Sequence, residues 1–160
     1  MYRITSEGED DWWEVEALFD LAFGPAREAL SSYRLRDDVD PLTDLSRVAR
    51  DEDGILAGAV RFWPVWIADR LALLLGPIAV HPTRQGEGLG RTLMREGLAA
   101  ASDAGWHRVM LVGDAPYYGQ FGFRRLEGVE MPPPTNPDRV LGVALVNGAW
   151  DGVAGKVERV

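Results

Sequence analysis

Three glycines at alternate positions, Gly86, Gly88 and Gly90, are the residues whose type and spacing most clearly suggest chemistry. They follow an apolar run, 71–80, that is too short to cross a membrane and reads as a buried strand. After them the apolar residues recur at helical spacing. Glycine lets a backbone approach a ligand closely, and a helix start presents unpaired N–H groups at the positive end of its dipole. The segment therefore predicts an anion site suited to phosphate.

Three phosphate-binding patterns compete for this segment. A P-loop requires Gly-Lys followed by Ser or Thr, and the sequence contains no such tripeptide. A dinucleotide fingerprint belongs near the first strand of a βαβ unit, whereas these glycines lie in the middle of the chain. The third pattern is Gln or Arg, two residues, Gly, one residue, then Gly or Ala. Gln85, Gly88 and Gly90 fulfil it.

The elements that must position this turn can be predicted from periodicity and turn residues. We predict helices over 6–23, 26–33, 88–104 and 117–121, and strands over 2–6, 45–50, 55–67, 71–80, 109–112 and 140–146. The end of the chain, 156–160, either pairs as a strand or trails. Because helix 88–104 crosses between strands 71–80 and 109–112, those two strands should be parallel neighbours. This order predicts one mixed α/β domain over 1–160, with helices on both faces of the sheet.

Composition excludes several classes of function. The 160 residues include no cysteine, which excludes disulfides, thiolate metal sites and a cysteine nucleophile. Two histidines are too few for an all-histidine metal site, so we expect no metal. The net charge of −8 argues against nonspecific nucleic-acid binding. The start of the sequence is unlike a signal peptide and no run reaches membrane-spanning length, so we expect a cytoplasmic protein without a membrane partner.

Two motifs resemble those of a known family. Ala79-Val80-His81-Pro82 followed by Gln85-Gly86-Glu87-Gly88-Leu89-Gly90 resembles the acyl-CoA-binding motif of the GNAT (Gcn5-related) N-acetyltransferases. The segment 117–123, Tyr-Tyr-Gly-Gln-Phe-Gly-Phe, resembles the second signature of that family. Together with the preceding Gly113-Asp114-Ala115-Pro116, it is similar to the YhbS-like bacterial branch. The order of predicted elements is similar to the GNAT fold from Met1 to about residue 146.

The resemblance implies a central mixed sheet with a splayed parallel strand pair, and acetyl-CoA as the acyl donor. Pantetheine would pair with the backbone of Ile78, Ala79 and Val80. An N–H there would polarise the thioester carbonyl, and Ile78 or Val80 is favoured because Pro77 has no N–H. The cofactor pyrophosphate would be held by the backbone of the turn and the helix start, at Gln85, Gly86, Glu87, Gly88, Leu89, Gly90 and Arg91.

The resemblance also implies a tyrosine that protonates the leaving thiolate. Its spacing before Gly122-Phe123 favours Tyr118, with Tyr117 as the alternative. No motif marks the base that deprotonates the amine, for which Glu28, Asp114 and His81 are candidates. Many relatives have an asparagine after the strand equivalent to 109–112. This chain has Gly113-Asp114 there, and a carboxylate cannot donate a hydrogen bond as an amide does.

The sequence thus predicts an N-acetyltransferase in which a primary amine of a small molecule or protein attacks acetyl-CoA directly in a ternary complex. Trp63 or Trp66, beside Pro64, is a candidate for lining the acceptor pocket. Asp37, Asp38 and Asp40 read as a solvated loop. The alternative is a noncatalytic acyl-CoA-binding or regulatory domain, and a nucleotide-phosphate binder is a third hypothesis. A homodimer is compatible with all three.

Overall fold

The structure, a computed structural model, describes residues 1–24, 27 and 31–160. Half of the predicted helix 26–33 lies outside these residues. Its described end belongs to a short 3₁₀ helix, Ser31–Leu35.

Nine strands in the described residues build the sheet. They are β1 (Arg3–Ser6), β2 (Arg47–Arg50), β3 (Leu56–Ile67), β4 (Arg70–Val80), β5 (Arg108–Val112), β6 (Arg124–Arg125), β7 (Val129–Glu130), β8 (Val140–Ala144) and β9 (Gly155–Arg159). The main order is β1-β2-β3-β4-β5-β8-β6. Neighbours along this order are antiparallel except β4 and β5, which are parallel as predicted.

The parallel pair is splayed. Its register covers only Leu73 with Val109 and Leu74 with Met110, although β4 continues to Val80 and β5 to Val112. Pro77, beyond the paired segment, has no N–H with which to continue the ladder. One edge of β4 therefore faces an opening near its end, as expected of the splayed pair.

Helices cover both faces of the sheet, which confirms that prediction. On one face α1 (Trp12–Phe23) packs Val15 and Phe19 against Ala79 of β4. On the other face α2 (Leu89–Asp103) packs Leu93 and Met94 against the strands. A short helix, α3 (Ala115–Tyr118), follows β5. In the described part of the chain, no helix combines the length and apolar character needed to span a membrane.

The end of α1 departs from the predicted pattern. Ala22 and Phe23 continue the helical spacing of the apolar face, so they were expected to be buried, but both are exposed. Gly24, at φ 83°, follows as the C-cap and ends the helix. These two side chains instead border the opening beside β4.

The C-terminal segment, which the sequence left open, forms β9. It pairs antiparallel with β3 at Val65–Ile67 and parallel with β7. Pro64 lies just before the β9 pairing and after the segment of β3 that pairs with β2. The sequence prediction of an edge or bulge at Pro64 agrees with this position, where no ladder bond is required of it.

Candidate active site

The turn between β4 and α2 is built around two glycines with left-handed backbone angles. Gly86 has φ 83° and Gly88, the N-cap of α2, has φ 79°. The Gln85 amide Nε2 donates to the Val80 carbonyl at 2.9 Å, which fastens the turn to the strand end. The first helical bond runs from the Thr92 N–H to the Gly88 carbonyl. The N–H groups at the start of α2 before Thr92 are therefore free to meet an anion.

Two side chains of the turn, Glu87 and Arg84, are engaged by other residues. The Tyr2 hydroxyl bonds the carboxylate of Glu87. Arg84 bonds Asp51 at 2.6 Å. Arg91 is exposed at the helix start, where its guanidinium can reach a bound anion. The turn thus presents backbone groups toward the opening.

The backbone of β4 presents alternate residues to the opening. The N–H of His81, just after β4, donates to the Ala57 carbonyl of the neighbouring strand β3 at 2.7 Å. Because successive N–H groups of a strand point to opposite sides, those of Ile78 and Val80 point away from β3, into the opening. By the same alternation the N–H of Ala79 faces β3, and its side chain is buried beneath α1. This agrees with Ile78 or Val80 as the N–H donor.

Tyr118 is positioned by the turn after β5. Asp114 caps α3 by accepting a bond from the Tyr117 N–H at 3.3 Å. The Tyr118 ring lies against the backbone of Gly113, where a Cβ would come within 2.4 Å of the ring. It also packs edge-on against Tyr117, with ring centroids 4.9 Å apart. Gly113 and Asp114, where the family usually has asparagine, thus set the position of the tyrosine.

Burial raises the pKa of the Tyr118 phenol, and the nearby Tyr117 raises it further. A buried phenol holds its proton because the anion loses hydration. Tyr118 therefore remains protonated at neutral pH, as a proton donor must. Tyr117 is more exposed, and its hydroxyl lies toward Gly90.

These parts meet in one opening of about 510 Å³, which we call the cofactor cleft. It brings together almost all the predicted site residues, namely Ile78, Ala79, Val80, Gln85, Gly86, Gly88, Leu89, Gly90, Arg91 and Tyr118. The side chain of Glu87 is turned toward Tyr2 instead. Sequence reasoning missed Ala22, Phe23 and Gln120, which also line the cleft. Ala22 and Phe23 continue the apolar spacing of α1, so the sequence could not distinguish them from buried core residues.

Two further cavities lie near the cofactor cleft and share lining residues with it or with each other. The inner cavity, about 180 Å³ between β4 and β5, shares Phe23, Ile78 and Tyr118 with the cleft. The outer cavity, about 490 Å³, shares Tyr33, Arg36 and Pro77 with the inner one. Of the two tryptophans named from the sequence, Trp63 lines the outer cavity and donates from Nε1 to the Gly76 carbonyl at 2.6 Å.

The three residues that the sequence offers as the base that deprotonates the amine differ in their surroundings. Asp114 is engaged as the α3 cap, and the His81 ring turns back onto Thr83, with Nδ1 accepting from its N–H at 3.2 Å. Glu28 lies outside the described residues. Among the described residues, no group of three or more histidine, aspartate or glutamate side chains is placed to hold a metal ion.

A sequence model described as an acetyltransferase (GNAT) domain matches residues 45–125. The chain is also 34% identical over 111 residues to the uncharacterized N-acetyltransferase YhbS of Escherichia coli strain K12. That match covers 68% of this chain and spans 65% of the relative's length.

Solved structures extend the likeness over the whole fold. A crystal structure of Escherichia coli YhbS in complex with CoA superposes with a TM-score of 0.85 at 29% identity, covering 99% of this chain and 89% of that one. A GNAT family acetyltransferase from Brucella melitensis in complex with acetyl-CoA gives a TM-score of 0.75 at 33% identity, covering 100% and 96%. The sequence match, the relative and the shared fold together show that this chain belongs to the GNAT acetyltransferase family.

Proposed function

We propose that this protein transfers the acetyl group of acetyl-CoA to a primary amine by direct attack within a ternary complex. The observation that carries the proposal is the meeting of three features in one cleft. These are the free N–H groups at the start of α2, the unpaired edge of β4 at Ile78–Val80, and the protonated Tyr118. The complexes of its relatives with CoA and acetyl-CoA support this choice of donor.

The residues present suit a coenzyme A ligand. The turn from Gln85 to Arg91 offers backbone donors and a helix dipole to the pyrophosphate. The open β4 edge offers the N–H groups of Ile78 and Val80 to the pantetheine amides. Acetyl-CoA supplies an activated thioester. The remaining work belongs to the protein, which must position the reactants, polarise the carbonyl and deliver a proton.

The proposed transfer forms one N–C bond and breaks one C–S bond. A backbone N–H of β4 stabilises charge that develops on the thioester oxygen. The proton that leaves with the sulfur comes from Tyr118, whose side chain lines both the cofactor cleft and the inner cavity. An amine that is protonated at neutral pH first loses its extra proton to solvent. As the amide forms, the attacking nitrogen gives up a second proton, which restores the Tyr118 phenol, so the products are a neutral amide and the free thiol. The chain has no cysteine, which excludes a cysteine-linked acetyl-enzyme.

An acceptor screen scored by release of free CoA tests the proposal. The panel contains amino acids, polyamines, aminoglycosides and a lysine-bearing peptide, each with acetyl-CoA in excess. Acceptor-dependent thiol release, with the acetylated product seen by mass spectrometry, supports transfer. Tight acetyl-CoA binding without turnover of any amine would instead favour the noncatalytic acyl-CoA-binding domain.

A further inference from the structure

A buried arginine, Arg36, lies where the inner cavity meets the outer cavity. Arg36 is 9% exposed and lines both the inner and the outer cavity. Its Nη2 stands 3.2 Å from where a Cβ on Gly76 would lie, beside β4 where the strands splay. Arg36 therefore lies on the route by which an amine from outside would reach the thioester.

The Arg36 guanidinium lacks an ionic partner in the described part of the chain. Its Nε and Nη1 atoms are buried there without a hydrogen-bond acceptor. Its guanidinium carbon lies over the rings of Tyr33, at 4.3 Å, and Trp63, at 5.5 Å. A buried donor without an acceptor costs free energy, and more so when it is charged. The aromatic faces offset only part of that cost.

The other arginines of the outer cavity are fully engaged. Arg61 pairs with Glu7 at 2.9 Å and with Glu16 at 2.5 Å. Arg27 pairs with Asp20 at 2.8 Å and with Glu16 at 3.0 Å. These two are held by carboxylates of the protein itself. Arg36 differs from them because its described neighbours leave Nε and Nη1 without an acceptor, so these donors can meet a group that arrives from outside.

We infer that Arg36 binds a carboxylate of the acceptor, so that the amine substrate is an amino acid or a close relative carrying a carboxylate next to its amine. This rests on the proposed function. A planar guanidinium matches a carboxylate through two parallel hydrogen bonds. In an α-amino acid the amine is one carbon away from the carboxylate, so a carboxylate on Arg36 leaves the amine beside Gly76 and the inner cavity. Burial lowers the pKa of Arg36 to about 10, so it remains a cation at neutral pH.

The outer cavity has room for the rest of such a molecule. Its mouth carries the exposed carboxylates of Asp37, Asp38 and Asp40. An acceptor that binds Arg36 through its carboxylate would extend its side chain toward these groups. The rim carboxylates repel a second anion and attract a cation. Among amino acids, neutral and basic side chains are therefore favoured over acidic ones.

Paired substrates test the inference by kinetics. L-alanine, L-leucine and L-lysine are each compared with their carboxamides, with acetyl-CoA saturating. We expect kcat/KM to be about ten- to a hundredfold higher for the acids, the range of a charge-assisted hydrogen bond. Arg36→Gln should remove this preference mainly through KM, and Arg36→Lys should restore part of it. Arg34→Gln, an exposed arginine two residues before Arg36, is the control and should keep the preference.

A binding measurement separates this inference from the proposed function. N-acetyl-L-alanine and its carboxamide are titrated calorimetrically into the protein saturated with CoA. We expect the acid to bind about tenfold or more tightly than the amide, and Arg36→Gln to abolish the difference. That result supports the carboxylate site even if no acceptor is turned over. Equal binding of acid and amide, or acetylation of carboxamides as fast as acids, would overturn it while leaving acetyl transfer intact.

Discussion

At the scale of single residues, Tyr118 stands where the cofactor cleft meets the inner cavity. Its ring is held in place by Gly113 and Tyr117. Backbone groups can bind the donor and polarise it, but they cannot deliver a proton at neutral pH. Tyr118 is therefore the side chain on which the proposed chemistry depends most.

Replacing Tyr118 by phenylalanine removes the proton donor and keeps the ring. We expect kcat to fall by about a hundred- to ten-thousandfold, the range of general-acid contributions, with little change in acetyl-CoA affinity. Steady-state kinetics and calorimetry measure the two quantities. Tyr117→Phe is the matched control and should lose far less activity. An unchanged kcat for Tyr118→Phe, or a larger loss for Tyr117→Phe, would move the role to Tyr117 or away from both.

The pH profile follows from the direction of the Tyr118 shift. Burial raises the pKa of this phenol above the ordinary value of about 10. The group is thus protonated and active below its folded pKa, and activity is lost as the pH rises through it. We expect kcat to remain level through the mildly alkaline range and to fall only above about pH 10. A fall in kcat near pH 8 that is absent from Tyr118→Phe would contradict a proton donor with a raised pKa at this position.

Residue-level features differ in how far the sequence predicted them. Tyr118 and the glycines were predictable because their motif is local. Arg36 was not, because it lies among acidic residues that suggest a solvated loop, and Asp37 and Asp38 are indeed exposed. The rings of Tyr33 and Trp63 pack against its guanidinium and contribute to its burial. That arrangement joins a loop to a distant strand, which no local pattern indicates.

At the scale of elements, the unit formed by β4, the glycine turn and α2 carries the cofactor hypothesis. Every part of it was predicted from the sequence, since a short apolar run, two turn glycines and a helical period are local signals. The structure begins α2 at Leu89 and ends it at Asp103, one residue inside each predicted bound. Gly105, at φ 88°, follows the helix as the expected terminating residue.

The size of the side chain at position 90 tests the ligand role of this unit. A Cβ there would meet Tyr117 Oη at 3.6 Å and Val80 Cγ2 at 3.7 Å, which are ordinary contacts. We expect Gly90→Ala to keep acetyl-CoA affinity within about twofold, and Gly90→Val to weaken it by about tenfold or more, because its extra methyl groups enter the cleft. Calorimetry measures both. Arg95→Val, on an exposed position of α2, controls for a β-branched residue in the helix. Equal affinities for Gly90→Val and the parent protein would mean that the turn serves structure alone.

The turn between β5 and α3 makes a second prediction at this scale. An alanine at position 113 would place its Cβ within 2.4 Å of the Tyr118 ring, so the ring must move. We expect Gly113→Ala to lower kcat although the phenol is retained, and to destabilise the fold by about 1–3 kcal/mol through overpacking. Gly119→Ala is the control, because a Cβ there meets nothing within 4 Å. Kinetics and chemical unfolding measure both effects. Full activity in Gly113→Ala would show that the ring position is not needed.

At the scale of the whole molecule, the site lies at the splayed strands β4 and β5. The last strand of the sheet, β9, is formed by the end of the chain. β9 returns to β3 and buries Val157, with Val153 packed nearby. The sequence left this segment open because a short strand has little period of its own, and its partner lies about ninety positions away in the chain. Pairing over such a separation is decided by the packed fold rather than by local propensity.

Unfolding tests the prediction that residues 1–160 form one domain. We expect a single cooperative thermal transition. Acetyl-CoA at about a hundred times its dissociation constant should stabilise the folded state by about 2.7 kcal/mol, raising the midpoint by about 5 to 10 °C. Scanning calorimetry with and without ligand measures both. Two separate transitions, with only one moved by acetyl-CoA, would contradict the single-domain prediction.

The central claim, that the cleft beside β4 binds acetyl-CoA, is tested most directly by calorimetric titration. We predict one site per chain for acetyl-CoA, competed by CoA, with ATP binding far more weakly because it cannot pair with the edge of β4. Gly90→Val should weaken the acetyl-CoA signal in the same experiment. Tight binding of ATP without measurable binding of acetyl-CoA or CoA would contradict the claim and favour a nucleotide-phosphate site.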